Sequence, residues 1–519
     1  MRCRGNEMAV TMRNVSGRTS SGLRAGAVAL AALLAVSGCT SVQRFVFGAP
    51  AEGVPGHVAG FLGGVVADEP RAVVAAREVL SAGGNAADAA TALGFALAVT
   101  LPSRAGLGGG GACLVYRPGA AAETVMFMSQ PPKMLAASAD RPAAAPAVPA
   151  GLLTLHARYG HLKLDRLMAP AEEMARFGVP VSAALSRDLH VVARPLLADA
   201  AARAVFGPRG EVLDEGGILV QTDLAVTLAQ LRIGGLGDFY RGALAHTIVA
   251  AATTAGGGLT TEDLAGVGAQ TVAPLTVPDG ALQVAFLPLP ADGGLAAAGA
   301  WRVLASNQAA LADAARRAEA LAARWRSGGG DAKALLGSEA PPARLPDLSA
   351  STGFVVLDPH GMAVACAETM DNLFGTGRIA PGTGLLLAAS PSTMPAPLLS
   401  AAIAWDASAG AFRAAAASSG QSAAPLALAI GMRTALHDAK PIPTKWPPDP
   451  GRLALIACPG GLPGDEETCK WAADPRGKGL ALGEKSDREL EQERGLGSPE
   501  KTGEPAYDNK DLQQRRTIN

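Results

Sequence analysis

The apolar pattern of residues 68–100 predicts two consecutive helices. The first, DEPRAVVAAREVLSAGG, has Pro70 in its first turn and ends at Gly83-Gly84, where helix boundaries favour these residue types. Asn85 is a suitable N-cap for the second helix, AADAATALGFALAVT. That helix is apolar on nearly every side, so we expect it to be buried.

A glycine-rich loop, RAGLGGGGACLVYRP, follows the buried helix and leads into a strand. Gly106, Gly108 and Gly111 have the G-x-G-x-x-G spacing of dinucleotide-binding sites. Such a site needs a strand before the glycines and a helix after them, so that the phosphate meets the helix N-terminus. Here the order is reversed. We therefore exclude nucleotide binding and expect the glycines to allow a close approach of another backbone segment.

Farther along, the pattern predicts a helix, a loop and a β-hairpin. Residues 307–326 form an amphipathic pattern typical of a solvated helix. Residues 327–350 are rich in Gly, Pro and Ala without periodicity, so we expect a mobile loop. The strands STGFVVL and GMAVACAET then pair through DPHG, which suits a type I turn.

The hairpin is preceded and opened by a cluster of hydroxyl residues, Ser349, Ser351 and Thr352. A hydroxyl is a weak nucleophile unless a base lies beside it. Cleavage of the chain just before one of these residues would supply that base, because the new α-amine can accept the hydroxyl proton. The start of the hairpin is therefore a candidate catalytic site.

The N-terminus has the features of an export signal. Basic residues precede the apolar run AGAVALAALLAV, which is short for a bilayer-spanning helix. The residues around Cys39 fit a lipobox, in which the lipidated cysteine begins the mature protein; an ordinary signal with a chance cysteine is the alternative. We expect a lipoprotein signal over 1–38 and a tether over 39–56. Thr40 favours the outer membrane facing the periplasm, with the lipid anchor as the only membrane contact.

Composition narrows the class of function. The 519 residues are 49% hydrophobic, which is ample for a large core, and the net charge of −1 argues against nucleic-acid binding. The seven histidines are scattered, no Cys/His spacing predicts a metal site, and no cofactor is expected. Residues 484–519 are charged and lack apolar periodicity, so we expect a disordered tail.

Cysteine usage fits an exported protein. Four cysteines remain once Cys3 is removed with the signal and Cys39 is lipidated: Cys113, Cys366, Cys458 and Cys469. Disulfides persist in oxidising compartments. The last two cysteines flank the turn-rich segment PGGLPGDEET, so we expect a local disulfide between them.

Several segments together resemble the gamma-glutamyltranspeptidase family. They are AAREVLSAGGNAADAATALGFALAVTLPSRAGLGGGGACLVY, AVPAGLLTLHARYGHLKLDRLMAPAEEMARFGVPV, TDLAVTLAQLRIGGLGDFYRGALAHTIV, GGGLTTEDLAG, STGFVVLDPHGMAVACAETMDNLFGTG and AADPRGKGLALG. The likeness covers about 58–483, in the family's order. It implies an α/β (α+β) fold, a four-layer αββα N-terminal-nucleophile hydrolase sandwich.

The resemblance also implies roles for individual residues. In the family, the precursor cleaves itself before a threonine that becomes the nucleophile, and Ser351 falls at that position. Thr369 matches a threonine that orients the nucleophile, and Asp371 takes the place of a substrate-binding asparagine. Gly420 and Gln421 match the glycine pair whose backbone amides form the oxyanion hole, a role that does not depend on the side chain.

Cleavage at this point would divide the chain into two regions. Residues 57–350 resemble the family's large subunit and end in the predicted mobile loop, and residues 351–483 resemble its small subunit. The resemblance implies that the two fragments stay associated after cleavage.

The residues that would bind a γ-glutamyl group are replaced. Met128 stands where the family has an arginine for the substrate α-carboxylate, and Thr393 where it has an aspartate for the substrate amine. Pro397 and Leu398 stand in place of paired serines. Specificity for a γ-glutamyl substrate is therefore not expected to follow from the resemblance.

Two functions fit these residues. The first is a self-processing exported amidohydrolase or acyltransferase of gamma-glutamyltranspeptidase type, related to glutathione hydrolases and acting on a small peptide or amide. The second is a catalytically inactive family member that serves as an envelope-anchored binding or structural lipoprotein. The fold alone does not decide between them.

Overall fold

The computed structural model describes residues 60–136, 139–345, 350–393, 397–438 and 451–483. The expected signal, the tether with Cys39, and the charged tail lie outside these ranges, so all three stay predictions. Within the described ranges, none of the helices has both the length and the apolar character needed to cross a bilayer.

The helices are numbered α1 to α15 in chain order. They span Pro70–Ser81, Ala86–Thr100, Pro102–Ala105, Val148–Tyr159, Leu164–Phe177, Ala183–Val191, Ala193–Leu196, Ala200–Phe206, Thr222–Arg241, Ala243–Thr254, Thr261–Ala265, Asp292–Ser306, Leu311–Gly328, Ala332–Gly337 and Ala424–His437.

The strands are numbered β1 to β17. They span Gly64–Ala67, Gly110–Tyr116, Glu123–Phe127, Val179–Pro180, Ile218–Leu219, Gln270–Val272, Leu275–Asp279, Leu282–Phe286, Ser351–Leu357, Ala363–Thr369, Ile379–Ala380, Leu385–Leu386, Ser400–Asp406, Ala411–Ser419, Arg452–Leu462, Lys470–Ala473 and Leu480–Gly483.

Local sequence explains the two predicted N-terminal helices. The Glu69 side chain accepts from Arg71 N–H and Pro70 occupies the first turn of α1. Asn85 and Asp88 form a capping box at the start of α2, which satisfies backbone donors at that end. Every residue of α2 is buried, as its apolar surface predicts.

Two sheets lie at the centre of the fold. The first has seven strands in the order β17-β1-β9-β10-β2-β3-β6, and the second has six in the order β16-β15-β14-β13-β8-β7. One apolar core lies between the sheets, a second lies between the first sheet and helices such as α2, and a third lies between the second sheet and α12, α13 and α15. This arrangement confirms the predicted four-layer αββα sandwich.

The predicted hairpin lies in the middle of the first sheet. Strand β9 pairs with β1 and strand β10 pairs with β2, both antiparallel, so the hairpin is inserted between strands from the first quarter of the chain. Its turn follows the prediction: Gly361 N–H donates to the Asp358 carbonyl at 3.2 Å, and Gly361 has φ of 85°.

The predicted mobile loop at 327–350 is wrong in part, because it contains α14. The Asp331 side chain caps this helix by accepting from Ala334 N–H at 3.0 Å, and Leu335 and Leu336 are buried against the outer core of the second sheet. The segment is too short to show a helical period among its glycines and prolines, so composition alone missed it. Residues 346–349 lie outside the described ranges.

The structure contains two disulfides. Cys458 is bonded to Cys469, the local pair expected from the sequence, and Cys113 is bonded to Cys366. The second pair joins β2 to β10, where the two cysteines face each other in register. This long-range bridge was missed, although two cysteines without an assigned role were a signal for it.

Candidate active site

Ser351 begins β9 and lies between the two sheets. It alternates along the strand with Val355 and Leu357, which belong to the inter-sheet core, and it is 1% exposed. Within the described part of the chain, its hydroxyl has no hydrogen-bond partner. The predicted nucleophile is thus buried, and no acceptor described in the structure competes for its proton.

Two donors meet at the carbonyl oxygen of Ala350, the residue before Ser351. The Thr369 hydroxyl donates to this oxygen at 2.8 Å, and Met370 N–H donates to it at 3.3 Å. The oxygen belongs to the peptide bond between Ala350 and Ser351. Donors placed here stabilise the negative charge that develops on the oxygen when the carbonyl carbon is attacked. The uncut chain therefore has two hydrogen-bond donors at the carbonyl of the bond at which cleavage is predicted.

A second hydrogen bond fixes the direction of the Thr369 hydroxyl. Asp371 N–H donates to Thr369 Oγ1 at 2.8 Å, so the hydroxyl accepts there and donates its own proton to Ala350. Asp371 has a left-handed φ of 60°, which turns the chain back toward Thr369.

Strand register places Thr369 beside the nucleophile. Thr369 pairs with Ser351 on one side and with Gly110 of β2 on the other. A Cβ at Gly109 would collide with the Thr369 carbonyl oxygen. The glycine loop thus allows a close backbone approach, as predicted, and the approach is to the strand that carries Thr369.

The Asp371 side chain is buried next to this site. Burial raises the pKa of Asp371 to about 7, and the nearby Ser129 hydroxyl offsets part of the rise. Neither carboxyl oxygen makes a hydrogen bond of good geometry to the described residues. The carboxyl therefore exchanges its proton near neutral pH instead of remaining charged throughout the physiological range.

Gly420 and Gln421 follow β14, a strand of the second sheet that packs closely on β9. Gly353 permits this contact, because a Cβ there would lie 2.8 Å from Ala417 Cβ and 3.0 Å from Ser418 N. Gly420 and Gln421 have left-handed φ values of 109° and 55°. The glutamine thus occupies a conformation that favours glycine. The bonds to the Ala350 carbonyl come from Thr369 and Met370, so an oxyanion role for this loop toward a substrate stays a prediction.

The positions expected to bind a γ-glutamyl group have other roles. Leu398 is buried in the outer core of the second sheet, and Met128 packs against the inter-sheet core. The Thr393 hydroxyl donates to the Ser390 carbonyl at 3.0 Å. Arg104, near the glycine loop, donates to both carboxyl oxygens of Asp188 at 2.7 and 2.6 Å. That cation is thus already paired.

Sequence reasoning missed two acidic residues near the site. Glu368, next to Thr369, is fully buried on the helix side of the first sheet, and burial raises its pKa to about 8. Neither of its carboxyl oxygens has a hydrogen-bond partner among the described residues. Asp68 is buried after β1 and bonds to Thr352 and Ser419. A glutamate directly after the apolar run AVACA was the available signal for Glu368. No comparable signal marks Asp68.

The described ranges contain no group of three His, Cys, Asp or Glu side chains that could hold a metal ion. The groups that the structure does bring together at the site are hydroxyls, backbone amides and carboxyls.

Comparison with known proteins places the chain among related sequences. The family profile described as Gamma-glutamyltranspeptidase matches residues 72–322. The glutathione hydrolase proenzyme of Pseudomonas aeruginosa is 30% identical over 384 residues, which cover 63% of this chain and 67% of that protein. The glutathione hydrolase proenzyme of Escherichia coli K12 is 30% identical over 367 residues, covering 60% of this chain and 63% of the relative. The match therefore spans less than two thirds of the Escherichia coli protein.

A solved structure has the same fold. The crystal structure of cephalosporin acylase from Bacillus halodurans aligns with a TM-score of 0.65 over 82% of this chain and 96% of that protein, at 20% identity. The likeness confirms the N-terminal-nucleophile hydrolase fold that the sequence predicted.

We predict that Glu368→Gln raises the melting temperature, and that the gain is larger at pH 8 than at pH 5. The pKa of Glu368 is about 8 in the folded protein and 4.5 ordinarily. The folded state binds this proton more tightly than the unfolded state does. The free energy of unfolding is therefore highest below about pH 4.5 and decreases as the pH rises toward 8. The loss at pH 8 is on the order of several kcal/mol. Thermal unfolding between pH 5 and 8 measures it.

The same substitution at exposed Glu78 is the control, and Glu78→Gln is not expected to raise the melting temperature. A Glu368→Gln protein whose melting temperature follows the wild-type curve at every pH would show that Glu368 does not hold a proton in the folded state.

Proposed function

The chain belongs to the gamma-glutamyltranspeptidase family, and on this premise we propose that it is a self-processing N-terminal-nucleophile amidohydrolase or acyltransferase. The observation that carries the proposal is the pair of donors, from Thr369 and Met370, at the carbonyl oxygen of Ala350. Relatives named glutathione hydrolase proenzymes support a precursor that is cleaved before it acts.

Self-cleavage begins at the Ser351 hydroxyl. Its Oγ attacks the carbonyl carbon of Ala350, while the oxygen that gains charge is stabilised by Thr369 and Met370. The peptide C–N bond breaks, the hydroxyl proton passes to the departing nitrogen, and an ester joins Ala350 to Ser351 Oγ. Water then opens the ester, which leaves a carboxylate on Ala350 and a free α-amine on Ser351.

Turnover uses the α-amine that cleavage creates. The amine accepts the Ser351 hydroxyl proton as Oγ attacks the amide carbonyl of a substrate, and the leaving amine departs with a proton. The resulting acyl ester is resolved by water in a hydrolase or by a second amine in a transferase. We expect the substrate to be a small peptide or amide, and the steps above use no cofactor.

The acyl group is not expected to be γ-glutamyl. Met128 offers no charge to a substrate α-carboxylate, Thr393 uses its hydroxyl within a turn, and Arg104 is paired with Asp188. A charge-assisted hydrogen bond contributes roughly 1.5–3 kcal/mol. Each missing charge-assisted hydrogen bond weakens the binding of a γ-glutamyl group by about ten- to a hundredfold.

We predict that the wild-type protein yields two fragments, one ending at Ala350 and one starting at Ser351. Ser351→Ala should leave a single uncut chain, because the attacking hydroxyl is gone. Thr369→Val should slow cleavage by about 10²–10³-fold, since it removes one oxyanion donor with little change in shape. Thr352→Ala is the control for Ser351→Ala: it keeps the attacking hydroxyl and should still give the same two fragments, although more slowly, because it loses the hydrogen bond to Asp68. For all four proteins, the extent of cleavage over time is measured on reducing gels, and the fragments are identified by intact mass.

A wild-type protein that stays a single chain after long incubation would contradict the proposal. Cleavage of the Ser351→Ala protein at the same bond would assign the reaction to a contaminating protease instead.

We predict that the Cys113–Cys366 disulfide keeps the two fragments covalently joined. Cys113 lies before the cleaved bond and Cys366 after it, and the bridge joins β2 to β10. Cleaved protein should therefore run as one band on a non-reducing denaturing gel and as two bands after reduction. Cys113→Ala should give two bands under both conditions.

Cys458→Ala is the control for this experiment, because Cys458 and its partner Cys469 both belong to the smaller fragment. Two bands from unreduced wild-type protein would show that the long-range disulfide does not form. One band under both conditions would show instead that the chain is uncut.

We predict that processed protein hydrolyses γ-glutamyl-p-nitroanilide poorly compared with p-nitroanilides of uncharged acyl groups. The γ-glutamyl group brings an α-carboxylate and an ammonium that lose water without gaining the partners expected at 128 and 393. Release of p-nitroaniline measures kcat/KM for each substrate. A higher kcat/KM for the γ-glutamyl compound would reveal a binding cation that the replaced positions do not supply.

A further inference from the structure

One buried carboxyl oxygen joins the two sheets at the candidate site. Asp68 follows β1 and is 8% exposed. Its Oδ2 accepts from the Thr352 hydroxyl at 3.2 Å and from the Ser419 hydroxyl at 3.3 Å. Thr352 belongs to the first sheet and Ser419 to the second, so a single oxygen links them.

The two hydroxyls stand next to the residues on which the proposed chemistry depends. Thr352 directly follows Ser351, the predicted nucleophile. Ser419 directly precedes Gly420 and Gln421, the predicted oxyanion loop. The contacts of Asp68 therefore relate the nucleophile on one sheet to the loop on the other, although Asp68 touches neither the nucleophile nor the cleaved bond.

Charges and hydroxyls around Asp68 offset part of the effect of its burial. Burial raises the pKa of Asp68, while Arg104, the two hydroxyls and Arg452 act in the opposite direction. Arg104 is itself fixed, because it donates to both oxygens of Asp188, a residue that also accepts from Ser103 at 2.7 Å. The neighbouring Glu69 carboxyl is buried too, and burial raises its pKa to about 7.

We propose that Asp68 is a positioning residue, which holds the start of β9 and the end of β14 at a fixed separation. This inference rests on the proposed function, since it assigns Asp68 to the same self-cleavage reaction. Two hydroxyls that share one acceptor cannot drift apart without losing a hydrogen bond in a buried site. Displacements of about 1 Å at a reacting centre can reduce rates on the order of a hundredfold.

The experiment compares two substitutions of similar size at Asp68. Asp68→Asn keeps an oxygen that can accept from both hydroxyls, whereas Asp68→Leu keeps the volume and removes the acceptor. We expect the Asp68→Asn protein to be cleaved at a rate within about threefold of the wild-type rate. The Asp68→Leu protein should be cleaved about ten- to a hundredfold more slowly. Cleavage is followed on reducing gels from freshly translated precursor, at a temperature below every variant's melting point.

A double substitution separates positioning from general stability. If Asp68 acts through Thr352, Thr352→Val should slow cleavage in the wild type, yet have little further effect in the Asp68→Leu protein. Asp358→Asn is the matched control: this buried aspartate lies in the turn at the far end of the same hairpin. It should lower the melting temperature without changing the cleavage rate.

Each outcome is decisive. Equal cleavage rates for Leu and wild type would overturn the inference and leave the proposed function standing. An Asn variant as slow as the Leu variant would overturn the hydrogen-bonded role, because the charge alone would then matter. An uncut wild-type chain would overturn the proposed function, and with it the positioning role.

Discussion

The structure depends on the pairing of one hairpin between two strands that are distant in sequence. Strands β9 and β10 occupy the centre of the first sheet, with β1 on one side and β2 on the other. Because antiparallel register is fixed along both borders, Ser351, Thr369 and Gly110 come to one end of the sheet together. This single insertion therefore brings the oxyanion donors, the glycine loop and the nucleophile close together.

Buried carboxyls surround the site, and they differ in how they are satisfied. Asp68 has two hydroxyl donors and nearby arginines, whereas Glu368 has no hydrogen-bond partner among the described residues and holds a proton near neutral pH. Burial raises the pKa of Asp371 to about 7. A buried acid without partners is costly to fold. Its presence in a central strand indicates that the first sheet is not optimised for stability alone.

Much of this fold could be predicted from local sequence, because caps, turns and apolar periodicity act within a few residues. The Asn85 cap, the buried helix α2 that begins there and the DPHG turn all follow from short-range chemistry. The Asp68 contacts and the Cys113–Cys366 bridge could not, since each joins segments more than 250 residues apart. The Thr369 hydroxyl was expected to orient a nucleophile, but only the structure shows it bonded to the Ala350 carbonyl.

The insertion of the hairpin has a consequence for how the protein is made. During synthesis β1 and β2 emerge early, yet the strands that fill the space between them emerge only after residue 350. Until then, both strands have unpaired edges, which are prone to join other chains. Pairing over such a sequence distance is also slow, because a long loop must close first. The N-terminal portion of the nascent chain is therefore exposed to aggregation until the hairpin has been made.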